Sequence, residues 1–270
     1  MAPDTLSLAG KIAIVTGAGR EPGIGAGIAT ALARNGAAVV LNFVSDSTIP
    51  KAAAVAERLR TDYGARVATV QADIESPEGA AELVKKSLGA FETDHIDILS
   101  QYQLPVGYYQ IVTDSTNWRE GGGGIKEELQ LTSSTIDLVR AVVPHMPPGG
   151  RIVNISSISS KISLPSLPFY NAGKAALDSL THTWADEFGR SHGITVNSVA
   201  PGPVVTDMQR KFRSSPGGEE ATQYMIKRTR AAERLGEIED VADAVLLIVQ
   251  EKSRFITGQY IDVAGGLTDR

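Results

Sequence analysis

The feature that most limits what this chain can fold into is an alternation running from end to end. Short apolar runs rich in Val and Ile recur between stretches of helical patterning. Lys11–Val15, Ala37–Phe43, Arg66–Gln71, Ile96–Leu99, Arg151–Ile155, Thr195–Val199 and Gln259–Val263 read as strands. Gly, Asp, Asn or Ser bounds each run, and polar residues do not alternate within it, as expected of strands covered on both faces. Between them Ile24–Asn35, Pro50–Tyr63, Pro77–Leu88, Lys126–Val143, Phe169–Ser191 and Ile238–Val249 read as helices. In the first of these, Ile24, Ile28 and Leu32 fall at i, i+4 and i+8 and make one apolar stripe.

Strands and helices in this order predict an α/β fold of Rossmann type. Its core is a doubly wound, seven-stranded parallel sheet with helices on both faces and right-handed crossovers. No Pro/Ser-rich linker divides the 270 residues, so 1–270 is expected to be one domain. Two segments break the pattern. Residues 100–125 are irregular and end in Gly121–Gly124, and residues 201–235 are rich in Pro, Gly, Ser and charge. Loops this long in a compact domain are commonly lids, binding segments or disordered.

Composition removes several kinds of chemistry. There is no cysteine, hence no disulfide, thiolate nucleophile or Cys-ligated metal. His95, His145, His182 and His192 show no ligand spacing, so no metal site is expected. The net charge of −5, without a basic block, gives no footprint for nucleic acid or an anionic membrane. The first residues lack the pattern of a secretory signal, and no apolar stretch approaches the ~20 residues that span a bilayer. A cytoplasmic protein is expected, working through hydroxyls, amines, carboxylates or an organic cofactor on a small-molecule substrate.

After the first strand comes Thr16-Gly17-Ala18-Gly19-Arg20-Glu21-Pro22-Gly23-Ile24-Gly25, and then a helix. Glycines there let the chain turn tightly and aim helix N–H groups at a pyrophosphate. Farther on, Tyr170 and Lys174 stand at i and i+4 and share a helical face. A neighbouring ammonium favours the phenolate and brings a tyrosine toward acid/base work. Ser157 ends the strand upstream, with Ser156 beside it.

Together these residues make the chain resemble the short-chain dehydrogenase/reductases, over about residues 9–267. Thr16, Gly17, Gly23 and Gly25 match the family's first turn, with two extra residues at Glu21-Pro22. The resemblance implies Ser157, Tyr170 and Lys174 as catalytic residues, Tyr170 protonating a carbonyl oxygen and Lys174 also holding the nicotinamide ribose. It implies that Gly17, Arg20, Gly23, Ile24 and Gly25 cradle the cofactor. Asp73-Ile74 would receive the adenine, and Pro201, Gly202, Val204 and Thr206 the nicotinamide carboxamide. The second strand ends without a carboxylate until Asp46, while Arg20 stands in the glycine turn. Both features resemble the NADP(H)-preferring branch, with Asn42 and Ser45 as polar contacts to the 2′-phosphate. The resemblance also implies a homo-oligomer, tetramer or dimer, through the long fourth and fifth helices. Nearest in character are fungal polyketide and naphthol reductases. The resemblance further implies that about 207–235 closes over the substrate as a lid, whose Met208, Phe212, Tyr224 and Met225 suit a bulky apolar or aromatic molecule.

The family pattern fails in one region. The fourth strand should end in Asn-Asn-Ala-Gly, and Gln101-Tyr102-Gln103-Leu104 stand there instead. The Asn and Gly of the next helix fall on Leu131 and Ser134, with Gln130 one residue away. Three readings follow. The first is an NADPH-dependent oxidoreductase that reduces the ketone of a bulky, aromatic or polyketide-like molecule to an alcohol. The second is a repurposed isomerase, dehydratase or cyclase of secondary metabolism that uses Tyr170 without net redox. The third is a cofactor-binding protein with little activity.

Overall fold

The computed structural model describes residues 6–102, 125–162 and 168–268, with residues 125–131 described by their backbone alone. Seven parallel strands form one sheet in the order β3-β2-β1-β4-β5-β6-β7. They are β1 (Ile12–Val15), β2 (Ala38–Phe43), β3 (Val67–Gln71), β4 (Ile98–Gln101), β5 (Arg151–Ile155), β6 (Thr195–Pro201) and β7 (Tyr260–Val263). From β1 the chain winds outward to β2 and β3, then returns to place β4 on the other side of β1. That reversal opens a crevice at the carboxyl ends of β1 and β4, the usual ligand position in such sheets.

Side-chain alternation along the strands divides the core in two. Ala13, Val15, Val39, Leu41, Ile98, Val153, Ile155 and Val199 face one way and pack on α1 (Ile24–Arg34), α2 (Ile49–Tyr63) and α8 (Ile238–Val249). Ile12, Ile14, Val40, Leu99, Ile152 and Val196 face the other way, onto α3 (Pro77–Phe91), α4 (Ile125–Val142) and α5 (Pro168–His192). The predicted stripe of Ile24, Ile28 and Leu32 is buried in the first of these layers. Burial on both faces is why the inner strands β1, β2, β4, β5 and β6 stand out, whereas the edge strands β3 and β7 are only partly buried.

Two expectations need correction. The fourth strand runs to Gln101 rather than ending at Leu99, because Ser100 and Gln101 are polar yet fully buried, and an apolar pattern does not detect them. The segment expected to form a lid is not irregular: it holds α6 (Asp207–Arg213) and α7 (Gly218–Arg228). Thr206 caps α6 by accepting from the Gln209 amide at 3.3 Å. In α7, Glu219 and Glu220 lie in the first turn and Lys227 and Arg228 in the last, each set complementing the helix dipole. The segment leaves and re-enters the body at one place, where Gly236 N–H donates to Pro203 and Val205 N–H donates to Gly236. Farther along, Arg230 and Ala231 N–H both donate to the Gly265 carbonyl after β7.

Candidate active site

Because all strands run parallel, the turns after β1, β2, β3, β5 and β6 meet at one edge of the sheet, and the predicted site residues lie there. The first turn is shaped by close backbone approach. Gly17 has φ +62, and a Cβ there would stand 2.8 Å from the Tyr102 carbonyl oxygen. A Cβ on Gly25 would stand 2.5 Å from the Gly17 carbonyl oxygen, so a side chain at either position displaces backbone. Gly23 is the N-cap of α1. No side chain caps this helix, and its first turn carries no acidic residue. By contrast, Ser76 caps α3, Thr206 caps α6, and a capping box closes α8. Among the described residues no side chain meets the first amides of α1, as is also so for α2 and α7, and at α1 this end follows the glycine turn where a pyrophosphate would sit.

Around that helix end the predicted contacts divide. Arg20 is exposed at the tip of the turn. Ser45 is exposed at the end of β2, its hydroxyl 3.0 Å from Ser47 Oγ and 2.9 Å from Thr48 Oγ1. Sequence reasoning passed over Ser47 and Thr48, although their place one turn beyond Ser45 made them visible. Asn42 requires correction. It is fully buried, and its amide donates to the Val70 carbonyl at 3.3 Å and the Ala72 carbonyl at 3.0 Å. It ties β2 to β3 and does not face a phosphate. Asp73 is exposed and accepts from the Glu75 amide at 3.0 Å, and with Ser76 capping α3 its carboxylate has no capping duty. Its charge, after burial, helps to push the Glu75 carboxyl above its ordinary range. The side chains of Ile24, Ile74 and Val204 lie in the core, so only their backbone can meet a ligand.

At the other end of the crevice stand the three predicted catalytic residues. Lys174 is buried, with Nζ 5.7 Å from the centre of the Tyr170 ring and donating to the Ile155 carbonyl at 2.9 Å. Ser157 follows β5 and caps a single 3₁₀ turn, its Oγ accepting from the Ser159 amide at 3.2 Å. A hydroxyl that accepts still has its proton to donate. Ser156 is buried instead and donates to the Lys174 carbonyl at 3.4 Å. Beyond β6, Gly202 is pressed on β7, where a Cβ would lie 2.7 Å from that of Ala264. In the segment 207–235, Met208, Phe212 and Met225 are half-buried. Tyr224 is exposed, with Arg228 Nη1 3.0 Å from its hydroxyl. Tyr108, Tyr109, Trp118 and Gly121–Gly124 lie outside the described residues, as do the side chains of Gln130 and Leu131. Ser134 is fully buried.

The missing Asn-Asn-Ala-Gly matters less to the cradle than its absence suggests. Thr16 Oγ1 accepts from the Tyr102 amide at 2.9 Å and stands 3.0 Å from the Tyr102 carbonyl oxygen as donor. The first turn is thus pinned to the end of β4 by backbone atoms of Tyr102. Gln101 Nε2 donates to Asn154 Oδ1 at 3.1 Å, joining β4 to β5 from within the sheet.

A doubly wound sheet, a glycine turn before an uncapped helix, and a Tyr–Lys pair beside a serine define a nucleotide-binding oxidoreductase class. A family model described as Enoyl-(Acyl carrier protein) reductase matches residues 17–268. The chain is 36% identical over 265 residues to the short-chain dehydrogenase/reductase FrzI of Cladobotryum sp, covering 97% of each protein. It is 30% identical over 263 residues to the hydroxynaphthalene reductase arp2 of Aspergillus fumigatus, covering 94% of this chain and 91% of that one. Among solved structures, L-sorbose reductase from Gluconobacter frateurii, complexed with NADPH and L-sorbose, superposes with a TM-score of 0.81. The identity is 26%, over 98% of this chain and 99% of that one. The chain belongs to the short-chain dehydrogenase/reductase family. Among the described residues, no helix is long and apolar enough to cross a membrane.

Proposed function

We propose that this chain is an NADPH-dependent reductase of a ketone on a bulky, apolar or aromatic small molecule. The observation that carries the reading is the buried Lys174 at the Tyr170 ring, its Nζ donating to the Ile155 carbonyl two residues before Ser157. The cofactor's residues fit the group: the uncapped α1 end and Gly17–Gly25 backbone would hold the pyrophosphate, Arg20 with the Ser45 hydroxyl cluster a 2′-phosphate, and Asp73 the adenine amino group. Thr206 and the backbone of Pro201, Gly202 and Val204 would hold the carboxamide. When bound, NADPH supplies a hydride to the carbonyl carbon.

The chain's own groups manage the oxygen. Ser157 Oγ donates to it and stabilises the negative charge that develops as the carbon is reduced. Tyr170 delivers the proton from its phenol, and the Lys174 ammonium stabilises the phenolate left behind. Half-buried Met208, Phe212 and Met225 supply apolar surface in the segment 207–235, which would suit an aromatic substrate and exclude water on closing. NADPH preference is further supported by the NADPH complex of the sorbose reductase, and aromatic ketones by the hydroxynaphthalene reductase relative.

The test is loss of NADPH absorbance with a panel of bicyclic aromatic ketones. Turnover is expected, with Tyr170→Phe lowering kcat by roughly 10²–10⁴ while NADPH still binds. Full activity in Tyr170→Phe would remove the phenol from the mechanism. Product formed without NADPH consumption would replace the reductase reading with non-redox acid/base chemistry.

A further inference from the structure

On α5, Tyr170, Lys174, Asp178 and Thr181 recur at helical spacing and form a polar stripe toward the sheet. Asp178 has no part in the chemistry above, yet its side chain is only 6% exposed. A carboxylate taken so far from water needs partners. Ser198 Oγ on β6 donates to its Oδ1 at 3.1 Å, and Lys161 Nζ stands 3.5 Å from its Oδ2. Lys161 ends the turn that Ser157 begins, with its Nζ 5.1 Å from the centre of the Tyr260 ring. Tyr260, on β7, donates its hydroxyl to the Ser157 carbonyl at 3.4 Å. The same stripe is held from below: Thr181 Oγ1 lies 3.0 Å from Ser198 Oγ and accepts from Asn154 Nδ2 at 2.8 Å. Asn154 in turn accepts from Gln101.

We propose that Lys161 and Asp178 are positioning residues that clamp the Ser157 turn onto the face of α5 bearing Tyr170 and Lys174. The clamp joins two elements that each carry part of the site and that no backbone ladder connects. Its catalytic consequence rests on the reductase reading, but its structural consequence does not. Four amides report the turn directly. Ser159 N–H donates to Ser157 Oγ, Ser160 N–H to the Ser157 carbonyl, and Lys161 and Ile162 N–H to the Ile158 carbonyl.

The experiment measures hydrogen exchange at these four amides in the whole protein for Lys161→Met, Asp178→Asn and the conservative Lys161→Arg. It is paired with NADPH titration and carbonyl turnover. Exchange at the turn is expected to rise about tenfold in Lys161→Met and Asp178→Asn, with amides in β1 and β2 unchanged and Lys161→Arg close to the parent. Where the parent turns over a ketone, kcat is expected to fall about tenfold while KM for NADPH holds. Unchanged exchange at the four amides overturns the clamp, as does unchanged kcat in Lys161→Met. If the parent reduces no carbonyl, the reductase reading fails and exchange alone decides the clamp. A loosened turn supports it and a rigid one overturns it.

Discussion

The amino edge of the sheet and the glycine-turn end of its carboxyl edge treat charge in opposite ways. At the amino edge, Asp97 opens β4 with its side chain 5% exposed, accepting from Lys11 Nζ at 2.8 Å and the Ile12 amide at 2.9 Å. Arg151, at the start of β5, is buried too, donating to the Gly149 carbonyl at 2.6 Å and to Glu251 at 3.4 Å. Burial lowers its guanidinium pKa, against the opposing pull of Glu251. At the carboxyl edge Arg20, Ser45 and Asp73 are exposed, and α1 ends uncapped. Paired charges on one side secure the fold, whereas groups left open on the other side are available to a ligand. The contrast teaches where substitutions should cost stability and where they should cost binding.

The largest stability effect should come from the amino edge. Asp97→Ala leaves the buried Ile12 amide without its acceptor and removes a charged hydrogen bond, at a cost of about 3 kcal/mol. That is a large share of a typical domain's ~5–15 kcal/mol. Urea unfolding should show the loss, while NADPH affinity of the folded protein stays at the parent value. A fall in affinity without a fall in stability would break the comparison.

A smaller effect is expected from Arg20→Ala at the carboxyl edge. An exposed guanidinium paired with a phosphate is worth about tenfold in affinity. NADPH titration should show that loss, with NADH affinity and thermal stability unchanged. Equal weakening of both cofactors would move the 2′-phosphate contact away from Arg20.

The smallest effect sharpens the contrast at a surface pair, because the carboxyl edge holds paired charges too, Lys161 with Asp178 and Arg234 with Asp240. Arg234 holds both oxygens of Asp240 at 2.6 and 3.0 Å, which keeps that carboxyl below its ordinary range. A folded-state pKa that is depressed contributes stability above the unfolded value of about 4, and that contribution is lost as pH falls through the folded value. Arg234→Ala should therefore be slightly less stable than the parent at neutral pH, with the gap closing below about pH 4. A gap independent of pH would show that the pair does not act through this carboxyl.

The sheet was readable because its inner strands are buried on both faces, and Val and Ile runs record that directly. The approach of Lys174 to the Tyr170 ring was readable because i and i+4 share a helical face. Asn42 was misassigned because an amide at a strand end looks the same whether it faces a ligand or a neighbouring carbonyl, and only β3 decides which. The row of Gln101, Asn154 and Ser198 was invisible, since its members come from three strands and meet only through sheet register. Helices α6 and α7 were hidden by charge and glycine, which describe an exposed helix as well as a loop.

The pairing of Thr16 with Tyr102 uses only the amide and carbonyl of the second residue. Those two hydrogen bonds can therefore survive a change of side chain at 102, while the Tyr102 ring adds a separate packing contact against Gly17 and the core beside it. A pattern written in side-chain letters can decay at such a place while the contact it once signalled persists. Relatives carrying unrelated letters there should still close the same turn, and recognising them depends on the threonine rather than on its partner.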